Sequence, residues 1–419
     1  MLRVRLLEIV EDVRGSYWFV PALLALLGFA AGLALVYLDA LVGTAWLGRF
    51  EWLYGSRPEG ARALLSTVAG STITVAGVVF SITLAAVTYA SGQYGPRLLS
   101  NFVRDRGNQA TLGVFIGTFL YCLVVLRTIR SAAETSADTG GAVREAFVPH
   151  IAMFGALALA VASIGVLIYF VHHVTDAIHI NNVIARIGRG LLDTIAERGA
   201  GSDPTSVTGD GDAANAGEPV PAPRTGYVEA LDEEALLEAA TRSGVVVAVL
   251  AKPGDFVHRG RPVLLVAPLA DPAMSQSGEL FSIGRKRTAL QDLRFPIDEL
   301  VEIAARALSP GVNDPFTATA CIDWLGAALI DLATMPGKPA VLRDRDGHAR
   351  VTLPRLGYAD YLRSAVGHLR PYAAADPIAG PHLLAMLDTV RAAVNDPRQH
   401  DMLEAERRHL TQAMQRKHD

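Results

Sequence analysis

The stretch "HHVTDAIH" holds three residues of types that bind metal ions. His172, Asp176 and His179 are spaced by four and three, which sets two imidazoles and a carboxylate on one helical face. Such a set suits a divalent cation, although ligands from a single helix need others from elsewhere, for example from a second copy of the chain. The competing account is a histidine pair at headgroup level, with polar tips in water and rings against lipid. His172 and His173 also stand where protonation near neutral pH would alter activity.

A second pattern is longer. "LLSTVAGSTITVAGVVFSITLAAVTYASGQYGPR" carries Thr67, Ser71, Thr74, Ser81 and Thr88 at intervals of four, three, seven and seven, with Val78 and Ala85 filling the missing places. All seven fall on one helical face, and Gly70, Gly77 and Gly92 lie close to it. Two accounts fit this stripe. Small and hydroxylated residues allow close helix packing in lipid; alternatively, stripes from several subunits line a water-filled path in which hydroxyls replace part of an ion's hydration shell. Val78, Val79 and Phe80 sit near the middle, where an apolar constriction would gate by dewetting. Arg97, Arg104 and Arg106 would form the inner mouth. The apolar runs are read as holding no Asp or Glu, so no relay of intramembrane carboxylates is expected.

The third pattern is "ALSPGVNDPFTATACID" at 307–323. Asp314 is placed as a helix N-cap with Pro315 at the first helical position, and Ser309 and the Pro-Gly after it end the preceding helix. With Asn313, these residues make a structural corner. Ser309, Asn313 and Asp314 lack the neighbouring base or second carboxylate that a catalytic set requires, so no enzyme is expected. Cys321 reads as a small buried residue and, with Cys122, forms no disulfide framework.

These groups must be held by elements, and hydropathy defines most of them. The chain has 419 residues and a net charge of −4. Its longest apolar runs lie before residue 175, at 17–41, 64–89, 111–129 and 151–174, each long enough to cross about 30 Å of hydrocarbon. Arg3, Arg5 and Arg14 before the first run, the arginines between the second and third, and Arg186 and Arg189 after the fourth place both termini on the cytoplasmic side. Arg127 and Arg130 oppose that bias. Residues 199–225, rich in Gly, Ala, Pro and Asp, read as a flexible linker. Residues 244–268 read as two β-rich runs around a turn at Pro253, Gly254 and Asp255. From Phe281 onward the periodicity is helical, with further helices near 359–372 and 381–393 and a charged tail at 401–419 that reads as a frayed helix.

Two resemblances add to this. "GVVVAVLAKPGD" followed by Val257 and "RGRPVLLV" resembles the half-repeat of biotinyl and lipoyl carrier domains, but the lysine that would carry a cofactor is missing after "VLLV", so no cofactor is expected. "GSYWFVPALLALL", "TVAGSTITVAGVVFSITL", "QYGPRLL", "NFVRDRGNQATLGVFIGTFLYCLVVLRTIR", "VLIYFVHHV" and "ALSPGVNDPFTA" together resemble the bacterial predicted membrane proteins grouped as domain of unknown function 2254. That resemblance implies an integral protein of the bacterial inner membrane and supplies no reaction.

The expected architecture is therefore an α-helical membrane domain of four spans over 1–198, the linker, a small β sandwich-like segment over 226–272 and a helical region over 273–419, the last two forming a cytoplasmic α+β half. The expected activity is an oligomeric channel for a small ion or solute, with a non-conducting scaffold or sensor as the alternative. Expected partners are membrane lipid, other copies of the chain and the conducted solute, with no nucleic acid.

Overall fold

Residues 16–42, 58–94, 105–130, 147–200, 206–208, 217–268, 272–335 and 339–418 are described by a computed structural model. The chain divides after His179 into two units. In the first, four apolar helices match the four runs: α1 (Phe19–Val42), α2 (Pro58–Tyr94), α3 (Arg106–Thr128) and α4 (His150–Ile178). α2 has 37 residues and extends past both ends of its apolar run.

α3 is the central helix of this unit. Its buried residues include Leu112, Phe115, Tyr121, Cys122 and Val125, together with Asn108, Gln109, Thr111 and Thr118. In lipid the hydrophobic effect does not favour one helix contact over another, so close approach and polar pairing must hold the bundle. Both are present. Gly28 of α1 meets Gly117 of α3 so tightly that a Cβ on Gly28 would lie 2.3 Å from the Gly117 carbonyl oxygen. Gly113 packs under Leu24 in the same seam, where a Cβ would meet Leu24 Cδ1 at 2.7 Å. Tyr121 donates its hydroxyl to the Ala152 carbonyl at 2.7 Å, tying α3 to α4.

The second unit starts with α5 (Ile180–Ala200), whose Val183, Ile184, Ile187, Leu191 and Ile195 recur at helical spacing and are buried. Two sheets follow. The larger joins β1 (Ser206–Thr208), β2 (Glu218–Pro221), β4 (Val246–Val249), β6 (Pro262–Ala267), β8 (Ala340–Arg343) and β9 (Ala349–Leu353) in the order β1-β8-β9-β4-β6-β2. The smaller joins β3 (Gly226–Leu231), β5 (Phe256–Val257) and β7 (Phe281–Gly284) in the order β5-β3-β7. α6 (Glu233–Ser243) packs Leu236 and Ala240 into the shared core with Val247, Leu264 and Phe281. α7 (Arg294–Ala307), α8 (Pro315–Leu332), α9 (Ala379–Ala393) and α10 (Pro397–His418) make the helical part.

Three sequence expectations change here. The segment read as a linker contributes β1 and β2, which pair with β8 and β6. Edge strands are held by backbone bonds, which composition does not report, and Val220 supplies a buried anchor in β2. Residues 201–205 and 209–216 of that segment lie outside the described residues. The larger sheet also crosses position 272, because β4 pairs in parallel with β9. The charged tail is a 22-residue helix, with Arg407 and Glu404 paired to Asp388 and Arg391 of α9.

Among the described residues, five helices are long and apolar enough to cross a membrane: the four of the first unit and α8. α8 lies within the second unit, where Cys321, Ile322, Leu325 and Leu329 are fully buried.

Candidate functional site

The two faces of α2 have opposite roles. Ala61, Leu65, Ala69, Thr72, Ala76, Val79, Thr83 and Ala86, recurring every three or four residues, are buried against α3 and α4. Thr67, Ser71, Thr74, Val78, Ser81, Ala85 and Thr88 are all exposed. The hydroxyl stripe is therefore the face that the described residues leave uncovered.

The glycines separate the two accounts of that stripe within one chain. A Cβ on Gly70, Gly77 or Gly92 would meet no described atom within 4 Å, whereas Gly28, Gly113 and Gly117 are in contact with neighbouring backbone. Among the described residues of this unit, glycine-mediated close packing joins α1 to α3, and Gly155 of α4 adds to it against Tyr121 and Leu35. α2 contributes apolar residues and two buried threonines to its inner face and leaves its glycines and most hydroxyls outside.

Each stripe hydroxyl donates its proton to its own helix. Thr67 bonds to Ala63, Ser71 to Val68, Thr74 to Gly70, Ser81 to Gly77 and Thr88 to Leu84, at 2.8–3.0 Å. A hydroxyl has one proton and two lone pairs, so what faces outward is a row of acceptors. Acceptors suit water and cations. The expected constriction is corrected: Val79 is 1 % exposed and belongs to the core, while Val78 and Phe80 point outward in different directions, because successive helical residues never share a face.

Arg97 and Arg104 lie outside the described residues, and Arg106 is exposed at the start of α3. Beside it, Asp105 caps α3 by accepting from the Asn108 amide at 3.1 Å. The same carboxylate oxygen is 2.8 Å from His173 Nε2 of α4. His173 stacks on Tyr169, with centroids 5.2 Å apart, and Gly107 makes room for both rings. Of the adjacent histidines, His173 is thus the one built into the fold. His172 approaches Asp176 at 3.5 Å on an exposed face. His179 follows α4 as its C-cap residue. These three do not converge to a common point; among the described residues the one group of three with metal-ligand spacing is Asp344, Asp346 and His348. Asp344 there accepts from the Asp346 and His348 amides and from Arg350 Nε, which hold its carboxyl below the usual range, the Arg350 bond most of all.

Sequence reading missed Asp39. It lies inside the first apolar run, is 7 % exposed, and accepts from the Ile151 and Ala152 amides at 2.9 and 2.8 Å. Pro149 at the N-cap of α4 offers no side-chain bond, so α1 supplies the cap. An acidic residue near the end of the first apolar run, facing the start of the fourth helix, was the available signal.

In the second unit the 307–323 corner is tightly bonded. Asp314 accepts from the Thr317 amide at 3.1 Å and its hydroxyl at 2.6 Å, Pro315 opens α8, and Ser309 donates to Arg306 at 2.6 Å. Asn313 takes φ of 49°, the left-handed conformation that asparagine tolerates. Beside the corner is a cleft of about 500 Å³ lined by Ile180, Ile184, Asp314, Phe316, Thr317 and Trp324. Burial pushes the Cys321 thiol well above its ordinary pKa, which makes it unreactive. A separate ionic cluster centres on Asp292, 1 % exposed, which pairs with Arg287 at 2.6 Å and Arg294 at 3.2 Å. Asp298 and Asp255 complete it and bring in the turn at Gly254, where φ is +88°. Burial opposes both guanidinium charges, and the carboxylates more than restore them, so both pKa values are raised.

The chain has known relatives. It is 32% identical over 400 residues to an uncharacterized protein of Mycobacterium bovis, covering 93% of this chain and 74% of the relative. An uncharacterized protein of Mycobacterium tuberculosis matches to the same extent. No solved structure matches it. The four apolar helices, their glycine seam and the mixed α/β unit that follows fit a description that covers residues 14–389: the chain belongs to the family of predicted membrane proteins known as domain of unknown function 2254.

Proposed function

We propose that this protein is a homo-oligomeric channel of the bacterial inner membrane that passes a small ion or solute, with α2 lining the path. Four spans cross the bilayer, both termini and the α/β unit are cytoplasmic, and that unit assembles or gates the pore. The observation that supports this reading is the unused face of α2. Seven stripe positions and three glycines are exposed on the folded chain, while the glycines of α1 and α3 do the packing. Copies arranged around an axis would bring these acceptor rows together around water.

The test is electrical. Purified protein in a planar bilayer under a potassium chloride gradient should give unitary currents, and Thr74→Leu and Ser81→Leu should abolish or reshape them by replacing acceptors with bulk. Reversal potentials then give the selectivity. Silence from folded, inserted protein refutes conduction. The cleft beside Phe316 then favours the second reading, a membrane scaffold whose cytoplasmic unit binds a ligand.

A further inference from the structure

The corner at 309–316 is rigid, and what it displays is apolar. Phe316 is 72 % exposed and Val312 44 % exposed, each next to residues locked by the Asp314 cap and the turn at Asn313. A phenylalanine held open by so ordered a turn, beside a cleft floored by Ile180, Ile184 and Trp324, calls for a covering that the described residues do not supply.

Chain connectivity says what lies near it. The last apolar run ends at about Val174, and α4 continues to Ile178. Four helical residues rise about 6 Å, and the two residues to Ile180 reach at most about 7 Å more. Ile180 is therefore within about 13 Å of the hydrocarbon edge along the chain, against a headgroup layer roughly 5–8 Å deep. Ile180 and Phe316 line the same cleft. The exposed charges of α5 run the same way: Arg186 and Arg189 are exposed near its start and Asp193 and Glu197 further on, with the half-buried Arg198 in its last turn. A helix starting at an anionic surface should be basic first and acidic later.

We infer that this corner rests on the bilayer that the chain itself spans, with Phe316 and Val312 entering the boundary between headgroups and acyl chains and Arg186 and Arg189 meeting anionic headgroups. Aromatic side chains belong at that depth. The inference depends on the membrane location of the chain and is independent of conduction.

The test uses the full chain in vesicles of phosphatidylethanolamine and phosphatidylglycerol. Cys122 and Cys321 are both buried, so wild type should take no thiol label and serves as the blank. Phe316→Cys and Val312→Cys are each labelled with an environment-sensitive nitrobenzoxadiazole dye, and Arg345→Cys, exposed on the β8–β9 turn, is the water-facing reference. Lipids with a nitroxide near the headgroup end of the acyl chain should quench most of the emission at 316 and 312 and leave 345 unchanged. Aqueous iodide should quench 345 strongly and the corner weakly; partial access to both quenchers at the corner places it at headgroup depth and also supports the contact. Corner labels open to iodide and indifferent to nitroxide overturn the inference. Labels shielded from both overturn it too, and identify a second copy or another protein segment as the cover. Circular dichroism matching wild type confirms that each labelled variant is folded.

Discussion

Asp39 should be among the most consequential single residues of the membrane unit. Its two oxygens accept the Ile151 and Ala152 amides at 2.9 and 2.8 Å, and only 7 % of the residue is exposed. Asp39→Ala removes both acceptors at a helix start where Pro149 offers none. Each stranded amide costs about 1–3 kcal/mol. Interhelical polar bonds in membranes average only about 0.6 kcal/mol, with a maximum near 1.7, because the unfolded chain in the bilayer also finds partners. The two figures meet at about 2–4 kcal/mol for two charge-assisted bonds reinforced by the α4 dipole. Unfolding in mixed micelles by increasing dodecyl sulfate, followed by tryptophan fluorescence, should show that loss. Asp39→Asn keeps one carbonyl oxygen and turns its amide NH2 donor toward the second N–H, so it should fall between wild type and alanine. Hydrogen exchange should localise the effect, with the Ile151 and Ala152 amides losing protection first. An alanine variant within about 0.5 kcal/mol of wild type, the range of an ordinary surface change, would refute the cap.

Two further outcomes follow from the second unit. Gly188→Ala puts a Cβ 2.3 Å from the Trp324 ring and should cost about 1–3 kcal/mol by overpacking, whereas Gly190→Ala, with no described atom within 4 Å, should be neutral or slightly stabilising; thermal unfolding of the two side by side checks the α5–α8 contact. The depressed pKa of Asp344 means that the folded state holds its carboxylate more readily than the unfolded chain does, so that contribution is complete above the ordinary value of 3.8 and is lost as pH falls through the lower native value. Asp344→Asn should therefore lose stability at neutral pH and show a weaker dependence on acid than wild type, read by denaturant titration at a series of pH values.

The four apolar helices were legible because a run of about 20 apolar residues has few other uses. So was the 309–316 corner, whose Asp-Pro pair and Pro-Gly break act locally. What was hidden depends on pairs far apart in the chain. Asp39 and Ile151 are over a hundred residues apart, and nothing in either local sequence announces the other. The stripe on α2 was found from spacing, but its exposure was not, since periodicity marks a face without saying which neighbour that face meets. In α3 the polar residues 106–110 were left outside the third run, yet Asn108 and Gln109 are buried. β1 and β2 escaped notice because an edge strand is selected by its partner's free backbone groups more than by its own side chains.

The stripe on α2 differs in composition from the other outward surfaces of the apolar helices. A face meant only for lipid is well served by large apolar side chains, and this chain provides them: Leu26, Leu33 and Leu41 are exposed on α1, Val161, Ile164 and Ile168 on α4, and Ile73, Phe80, Ile82 and Leu84 on α2 itself, beside the stripe. The α2 stripe, with glycines beside it, instead carries hydroxyls where the other helices and the flanks of α2 carry large apolar residues. A small glycine-rich face gains little from acyl chains, and its outward lone pairs gain nothing from them, so bare exposure to lipid does not account for its composition. A dry contact with a second copy would account for the glycines and leave the hydroxyl acceptors idle. A water-filled path between copies accounts for both, since small residues leave room and acceptors hold water. Substitution of Thr74 or Ser81 is thus a sharper probe than substitution of Gly77. A dry seam would suffer most from filling the glycine, whereas a wet path would be altered most by losing the oxygen.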